Sequence, residues 1–298
     1  MHLPFRANAA LALASAIVWG GGDFSGGTAV KFGGGSMRSA LRVVFLSHTV
    51  SLSILLLLSL LWGGSHPAGV NLAWGITAGV LAALSLTTFY VALSGGAMGP
   101  AAALSGLLAA AIPAAVSFAT EGLPGPQPLA GFALAGLAIW LIAAGPSDPR
   151  TPVDRRAMTL AIAAGIGFGL YFVSMKMAGR AGLLWPMATV RGGSLATCSL
   201  LILATGLRSR DSTNPGDAAF LPRKALLWAM GPALLDTGGN LLFLAATRSG
   251  RLDVASVLAS LYPASTILLA AWILHERPTR RQGVGMLTAA AAVLLITL

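Results

Sequence analysis

The chain has 298 residues, of which 56% are hydrophobic and only 9% are charged, and its mean hydropathy is +0.80. A soluble domain carries roughly 25% charged residues because its surface must be hydrated, so this composition excludes an ordinary soluble protein. The net charge of +10 does not indicate nucleic-acid binding. Lys and Arg stand singly or in small groups at the ends of apolar runs, where the flanking charges of membrane helices belong.

Known enzyme and metal-site motifs are absent from the sequence. Cys198 is the only cysteine, which excludes an intramolecular disulfide and a cysteine-based metal site. The zinc-hydrolase, Walker and nucleophile-elbow motifs do not occur. Gly33-Gly34-Gly35-Ser36 lacks the Lys-Ser/Thr ending of a phosphate loop and joins two apolar runs. We therefore expect no enzyme activity, no metal and no cofactor.

Apolar runs bounded by Gly, Pro or charged residues predict ten membrane helices, each near the length of about 20 residues that a bilayer requires. The first run continues to about Val30, which is too long for the apolar core of a signal peptide. The predicted helices cover residues 7–30, 39–62, 72–94, 100–120, 128–145, 157–178, 184–206, 225–246, 252–274 and 282–298. A polar break from Pro146 to Arg156 separates the first five helices from the second five.

Matching landmarks in the two sets of helices predict an internal duplication. Trp19-Gly20 precedes Arg42 by 23 positions, and Phe168-Gly169 precedes Arg191 by the same number. Because five is odd, two consecutive copies must enter the membrane from opposite sides. The sequence therefore predicts an all-α membrane protein of two inverted five-helix repeats, residues 1–147 and 155–298. Such symmetry is common among secondary transporters, which bind solute near the midplane between the repeats.

Glycine and proline inside the predicted spans indicate points where a helix bends, unwinds or kinks. The run Gly20-Gly21-Gly22 is denser than helix packing requires, which predicts that the first helix bends or unwinds beside a cavity. Pro113, Pro232 and Pro263 each remove an intrahelical hydrogen bond, so kinks are expected there. These glycines, together with Pro113 and Pro263, are the predicted hinges for a rocking motion of the two halves.

Ionisable residues inside the spans indicate the protein interior, because placing one at membrane depth costs about 3 kcal/mol on insertion scales. Six fall there: Asp23, Arg42, His48, Lys176, Arg191 and Asp236. Asp23 and Asp236 lie well inside spans, and Asn240 follows Asp236 by one turn on the same helix face. Two interpretations of Asp236 stay open, a solute-contacting acid or a structural acid paired with a neighbouring helix. His48 is expected to be an interior histidine with satisfied hydrogen bonds.

Aromatic residues in the middle of spans complete a predicted solute site. Lipid-facing Tyr and Trp prefer the interfaces, where their polar atoms stay hydrated, so mid-span positions favour a cavity. The predicted aromatic contacts are Trp19, Phe24, Tyr90, Tyr171, Phe243 and Tyr262. Asp23, Asp236 and Asn240 add the few polar groups that small-molecule sites usually contain. Ordinary packing explains about half of the aromatic positions equally well.

Several of these features resemble the EamA-type drug/metabolite transporters. Trp19-Gly20 and Arg42 match that family in the first two helices, and the stretch Leu261–Leu295 matches its last two. In the family, a proline in the penultimate helix is followed by an apolar run, Gly-Glu-Arg and a Gly-containing helix. Here Pro263 is followed by His275-Glu276-Arg277, with His in place of Gly. The resemblance covers the whole chain and is specific for the family, not for the solute.

The resemblance implies a multi-pass protein of the bacterial inner membrane that exports amino acids and related small metabolites. Within the family the ten-helix layout is similar to that of bacterial exporters of amino acids, in particular aromatic ones. Helices one, three, four, six, eight and nine are implied to line a central cavity, which opens to alternate sides without ATP. The expected partners are the small-molecule solute and the lipid bilayer, with no nucleic acid, and the chain is expected to be a monomer.

Two further questions remain open from the sequence. The scarcity of buried acids predicts a mainly apolar cavity without paired carboxylates, and therefore facilitated diffusion. The alternative is a proton-coupled exporter of cationic drugs, in which Asp23 or Asp236 exchanges protons for solute. A membrane-embedded enzyme that acts on lipid head groups and a non-transporting scaffold are less favoured alternatives.

Overall fold

The computed structural model describes residues 3–94, 98–143, 155–208, 221–273 and 279–297. In these ranges the chain is helical apart from short connections, and no strand occurs, which confirms the predicted all-α class. The helices are α1 (Leu3–Phe32), α2 (Met37–Trp62), α3 (Gly69–Ser94), α4 (Met98–Glu121), α5 (Pro126–Ala143), α6 (Arg155–Ala178), α7 (Leu184–Arg208), α8 (Arg223–Ser249), α9 (Leu252–Ala259), α10 (Tyr262–Ile273) and α11 (Arg280–Thr297).

Six segments of the described chain are long and apolar enough to cross a membrane. They are Met37–Trp62, Gly69–Ser94, Ala101–Glu121, Arg155–Ala181, Leu184–Ala204 and Leu252–Ile273. Helices α1 and α8 are not among them, and both combine several glycines with buried polar residues. Large apolar side chains cover the outside of the bundle, as Leu60, Leu200 and Leu287 illustrate with more than 60% of their surface exposed. A surface of this kind suits contact with lipid.

The predicted ninth span, residues 252–274, consists of two helices that meet next to Pro263, where the sequence predicted a kink. Helix α9 ends at Ala259, and α10 begins at Tyr262. The ring of Pro263 would clash with the carbonyl group of Ala259 in an unbroken helix, and Pro263 has no N–H group to donate. In the first turn of α10 the missing N–H group costs nothing. The proline therefore ends one helix and begins the next.

Helix α1 runs without interruption from Leu3 to Phe32, so of the two predicted alternatives, bending or unwinding at Gly20-Gly21-Gly22, unwinding is wrong. The glycines instead permit close contacts between helices. A Cβ atom on Gly20 would lie 2.9 Å from the backbone nitrogen of Thr266 in α10, and one on Gly22 would lie 3.3 Å from that of Asp236 in α8. Lipid provides no hydrophobic drive for helix association, so small residues that let backbones approach are the main means of packing.

The central helices of the bundle are α1, α3, α6 and α8. Helix α1 packs most extensively against α8, and α3 packs against α6 and α7. Helix α4 packs against α6, α2 against α7, and α5 against α11. Pro113 and Pro232 lie inside the uninterrupted helices α4 and α8. This arrangement leaves a cavity where α1, α3, α6, α8 and α10 meet.

Candidate solute-binding cavity

The cavity contains about 400 Å³ of space between protein atoms, counting its open side. Its wall is formed by Trp19 and Asp23 of α1, Ala82 and Leu86 of α3, Phe168, Tyr171 and Phe172 of α6, Asp236 and Asn240 of α8, and Tyr262 of α10. Helix α4 was expected to line the cavity, but none of its described side chains is in this wall. The wall is therefore mostly aromatic and aliphatic, with two carboxylates and one amide.

Stacked rings form one side of the cavity. Trp19 and Phe172 are parallel, with ring centroids 5.1 Å apart and planes inclined by 1°. Phe243 packs behind both, at 5.4 Å from Trp19 and 4.6 Å from Phe172. On another side, Phe89 meets the Tyr262 ring edge to face at 6.1 Å. Offset-stacked and edge-to-face contacts are the favourable aromatic geometries, so these rings provide a preformed apolar surface.

Arg191 of α7 is the centre of a buried polar cluster, with none of its surface exposed. Its Nη2 atom donates to Oδ2 of Asp236 at 2.7 Å, and its Nε atom donates to Oγ of Ser51 at 2.9 Å. Its Nη1 atom lies 3.0 Å from Nε2 of His48. Because a guanidinium group can only donate, Nε2 of His48 accepts. The other ring nitrogen, Nδ1, then donates to Oγ of Ser194 at 2.6 Å.

This cluster extends to the cavity through α8. Oδ1 of Asp236 accepts a hydrogen bond from Nδ2 of Asn240 at 2.9 Å, and Oδ1 of Asn240 accepts one from the hydroxyl group of Tyr171 at 2.8 Å. Asp236 is therefore paired with a neighbouring helix, as one of the two interpretations from the sequence held, and it also lines the cavity. His48 has both ring nitrogens hydrogen-bonded, as expected for an interior histidine.

Asp23 differs from Asp236 in having no cation beside it. It lines the cavity with 9% of its surface exposed, and in the described part of the chain no hydrogen bond or ion pair involves its carboxylate. Asp236 lines the same cavity. Two carboxylates therefore share the cavity for which the sequence predicted no paired carboxylate site. The two acids meet because α1 and α8 pack backbone to backbone at Gly22.

Three residues predicted for the site lie behind the cavity wall. Phe24 is buried and packs edge-on against Trp228 of α8, with centroids 5.8 Å apart. Tyr90 is buried beside α1, where its ring occupies the place that a side chain at Gly26 would need. Phe243 supports the Trp19 ring. The other six predicted residues, Trp19, Asp23, Tyr171, Asp236, Asn240 and Tyr262, are brought together in the wall.

Sequence reasoning left out of the predicted site four wall residues and the arginine behind them. Ala82, Leu86, Phe168 and Phe172 line the cavity, but an alanine or a leucine in a membrane span gives no local sign of facing a solute. The sequence does indicate that Arg191 faces the interior, since an arginine in mid-span needs a polar partner there. Its pairing with Asp236 depends on the packing of α7 near α8, which no local pattern indicates.

Similarity to known proteins concerns the family of the second half of the chain and the overall fold. Residues 155–298 match the EamA-like transporter family, whereas no curated protein matches the chain. A solved crystal structure of a protein superposes with a TM-score of 0.70 at 13% sequence identity, covering 97% of this chain and 95% of that one. At this identity the likeness concerns the fold alone. It extends over the first half of the chain, which lies outside the family match.

The six apolar helices and the EamA-like second half confirm a multi-pass membrane protein. The EamA-like family is one of small-molecule transporters and not of enzymes, which agrees with the lack of enzyme motifs in the sequence. Neither the family match nor the superposed structure identifies an exporter of aromatic amino acids, so that narrower resemblance stays a prediction.

Proposed function

We propose that this protein exports amino acids, in particular aromatic and other apolar ones, and related small metabolites across the bacterial inner membrane. The observation that carries the proposal is the central cavity, where a stacked aromatic surface faces two carboxylates. An apolar side chain fits the rings, and an ammonium group fits the acids. Small-molecule sites typically combine such apolar walls with a few polar groups that orient the ligand.

Two inverted five-helix units, residues 1–147 and 155–298, are the proposed architecture. The packing of the helices supports this relationship, in which α1 corresponds to α6, α3 to α8, and α4 to α9 with α10. Helix α1 packs on α8, and the counterpart of α1, which is α6, packs on the counterpart of α8, which is α3. Likewise α4 packs on α6, and the counterparts of α4, which are α9 and α10, pack on α1. Helix α2 packs on its counterpart α7, and α5 on its counterpart α11. A two-fold axis would produce this pattern of pairs.

Contacts at the helix ends favour ten crossings of alternating direction. The C-terminal ends of α4 and α6 meet at the ion pair between Glu121 and Lys176. Arg251, just before α9, donates to the carbonyl group of Glu121 at 3.2 Å. Helix α8 begins at the far end of the bundle, where Nζ of Lys224 lies 5.9 Å from the ring centroid of Phe32 at the end of α1. Helices α4, α6 and α8 therefore end on one side of the bundle and α1 on the other, as alternating crossings would require.

The proposed mechanism is alternating access between the two units. The cavity takes its wall from both units, so a rocking motion of one against the other would expose it to each side in turn. The polar contacts that join α4, α6 and α9 would have to separate when that side opens. An amino acid with no net charge moves no charge across the membrane, and its own concentration gradient is then the driving force.

Transport by the purified protein in liposomes tests this proposal. We expect saturable uptake of labelled phenylalanine and leucine with no chemical change, and none in protein-free liposomes. A panel of labelled amino acids would rank the solutes. If the protein moves none of them, or releases a chemically altered product, the proposal is wrong.

The second candidate is a proton-coupled exporter of cationic drugs, and the observation in its favour is Asp23, which has no cationic partner in the described chain. A pH gradient across liposomes with equal solute on both sides separates the two. Accumulation that is driven by the gradient and lost in Asp23→Asn would establish proton coupling. Equal rates with and without the gradient would establish facilitated diffusion.

A further inference from the structure

The cavity contains one carboxylate more than the cations around it can balance. Asp23 and Asp236 both line it. Arg191 is committed to Asp236 at 2.7 Å, and three of its donor groups are used by Asp236, Ser51 and His48. None of the wall residues in the described chain is a Lys, Arg or His. Asp23 therefore lacks a positively charged or hydrogen-bonding partner among the described residues, and a buried carboxylate without a partner is costly.

The polar groups near Asp23 do not supply that partner. On α1 itself, Thr28 donates to the carbonyl group of Phe24 at 2.7 Å, and Ser25 also donates to its own helix. The hydroxyl group of Tyr262 donates to the backbone of α4 at 3.2 Å. Tyr90 approaches the same part of α1 from behind the wall, and its hydroxyl group has no partner in the described chain. Within the wall, the carboxylate of Asp23 and the buried Nε1 atom of Trp19 both lack a partner in the part of the chain that the structure describes, which indicates that a bound ligand completes the hydrogen bonding.

We propose that Asp23 is the subsite that binds a primary ammonium group of the solute, whereas Asp236 serves to hold Asn240 and Tyr171 in place through its pairing with Arg191. This inference rests on the proposed function and narrows it to solutes with an ammonium group and an apolar body. Trp19 lies one helical turn before Asp23 on the same face of α1. Its ring and that of Phe172 provide the surface for the apolar body.

The charges of the cavity wall determine which solutes can bind. Amino acids and monoamines both carry the ammonium group, and the same subsite serves both. A carboxylic acid without an amine finds two acids and no uncommitted cation in the described part of the wall, so it should be excluded. A neutral alcohol of the same shape should enter but should bind weakly, because it brings no charge to Asp23. Charge-assisted hydrogen bonds are about twice as strong as neutral ones.

Binding of two matched ligands to the full-length protein in lipid nanodiscs tests the inference by titration calorimetry. The probes are 2-phenylethylamine, which is a cation at neutral pH, and 2-phenylethanol, its neutral counterpart. We expect the wild-type protein to bind the amine about tenfold more tightly or better. In Asp23→Asn the preference should fall below twofold, through loss of amine binding alone. Asp23→Glu, which keeps the charge, should retain a preference for the amine.

The possible outcomes are distinct. A wild-type protein that binds both ligands equally, or an Asp23→Asn variant that keeps the preference, would overturn the inference. If the Asn variant does not fold, the Glu variant decides, because moving the carboxylate should change affinity several-fold for the amine and less than twofold for the alcohol. The proposed function is tested separately by transport. If Asp23→Asn transports leucine and phenylalanine as fast as the wild-type protein does, the role of Asp23 is wrong, but the proposed export function stands.

Discussion

At the scale of single residues, the three tyrosines Tyr90, Tyr171 and Tyr262 illustrate how similar sequence positions acquire different roles. All three are buried in mid-span. The hydroxyl group of Tyr171 donates to the Asn240 side chain at 2.8 Å, and that of Tyr262 donates to a backbone carbonyl at 3.2 Å. The hydroxyl group of Tyr90 has no partner among the residues that the structure describes. Their substitutions should therefore differ in kind.

Removal of a hydroxyl group should affect stability only where that group is bonded. Tyr171→Phe leaves Oδ1 of Asn240 without its donor and should lower the free energy of unfolding by about 1–3 kcal/mol. Tyr90→Phe removes an unsatisfied group and should leave stability unchanged or slightly higher. Thermal unfolding of both variants in nanodiscs measures the difference. An equal loss in the two variants would contradict the assigned hydrogen bonds.

Solute selectivity should depend on Tyr262 and not directly on Tyr90, although the sequence suggested both as contacts. Tyr262 lines the cavity, whereas Tyr90 lies behind the wall. An aromatic contact contributes about 1 kcal/mol beyond its buried area, so Tyr262→Ala should weaken the apparent affinity for phenylalanine several-fold and that for threonine less. Tyr90→Phe is the matched control and should change neither. Equal losses for phenylalanine and threonine in a folded Tyr262→Ala protein would assign Tyr262 to packing alone.

At the scale of helices, the contact of α3 with α7 depends on glycine at defined positions. A Cβ atom on Gly193 would lie 2.9 Å from the carbonyl oxygen of Ile76 in α3, which is too close for any side chain. A Cβ atom on the neighbouring Gly192 would meet nothing within 4 Å. The two adjacent glycines therefore have different reasons to be present, and only that at position 193 sets the distance between the helices.

This pair of glycines gives a matched test of helix packing. Gly193→Ala should separate α3 from α7 and lower the unfolding temperature. Gly192→Ala should raise stability by up to about 1 kcal/mol, because alanine is the better helix former. Both variants are measured by thermal unfolding in the same lipid. A stabilised Gly193→Ala protein would show that α3 and α7 do not approach as closely as described.

At the scale of the whole molecule, inverted halves require equivalent positions to lie on opposite sides of the membrane. Lys31 in the last turn of α1 and Arg180 just after α6 are such a pair, and both are exposed. Single cysteines at these positions, in a Cys198→Ser background, should react with a membrane-impermeant maleimide from opposite sides of intact vesicles. Labelling of both cysteines from the same side would exclude the inverted repeat.

Much of the architecture follows from the sequence, and the reason is the bilayer. Its thickness sets the length of each apolar run, so the predicted spans and the described helices agree within a few residues in most cases. The cost of a charge at membrane depth likewise places Asp23, Arg191 and Asp236 in the interior from composition alone. The break between α9 and α10 was missed because Pro263 indicated a kink and not two separate helices.

What only the tertiary structure decided is which interior residues meet. The rotation and neighbours of each helix depend on contacts between segments far apart in sequence, such as Gly22 against Asp236 and Gly193 against Ile76. These contacts pair Arg191 with Asp236, place Trp19 on Phe172 and leave Asp23 facing the cavity without a cation. A polar residue in the middle of an apolar run is visible in the sequence. Which helices pack against each other depends on close contacts at small residues, and because lipid gives no hydrophobic drive for helix association, no simple hydrophobic pattern predicts them.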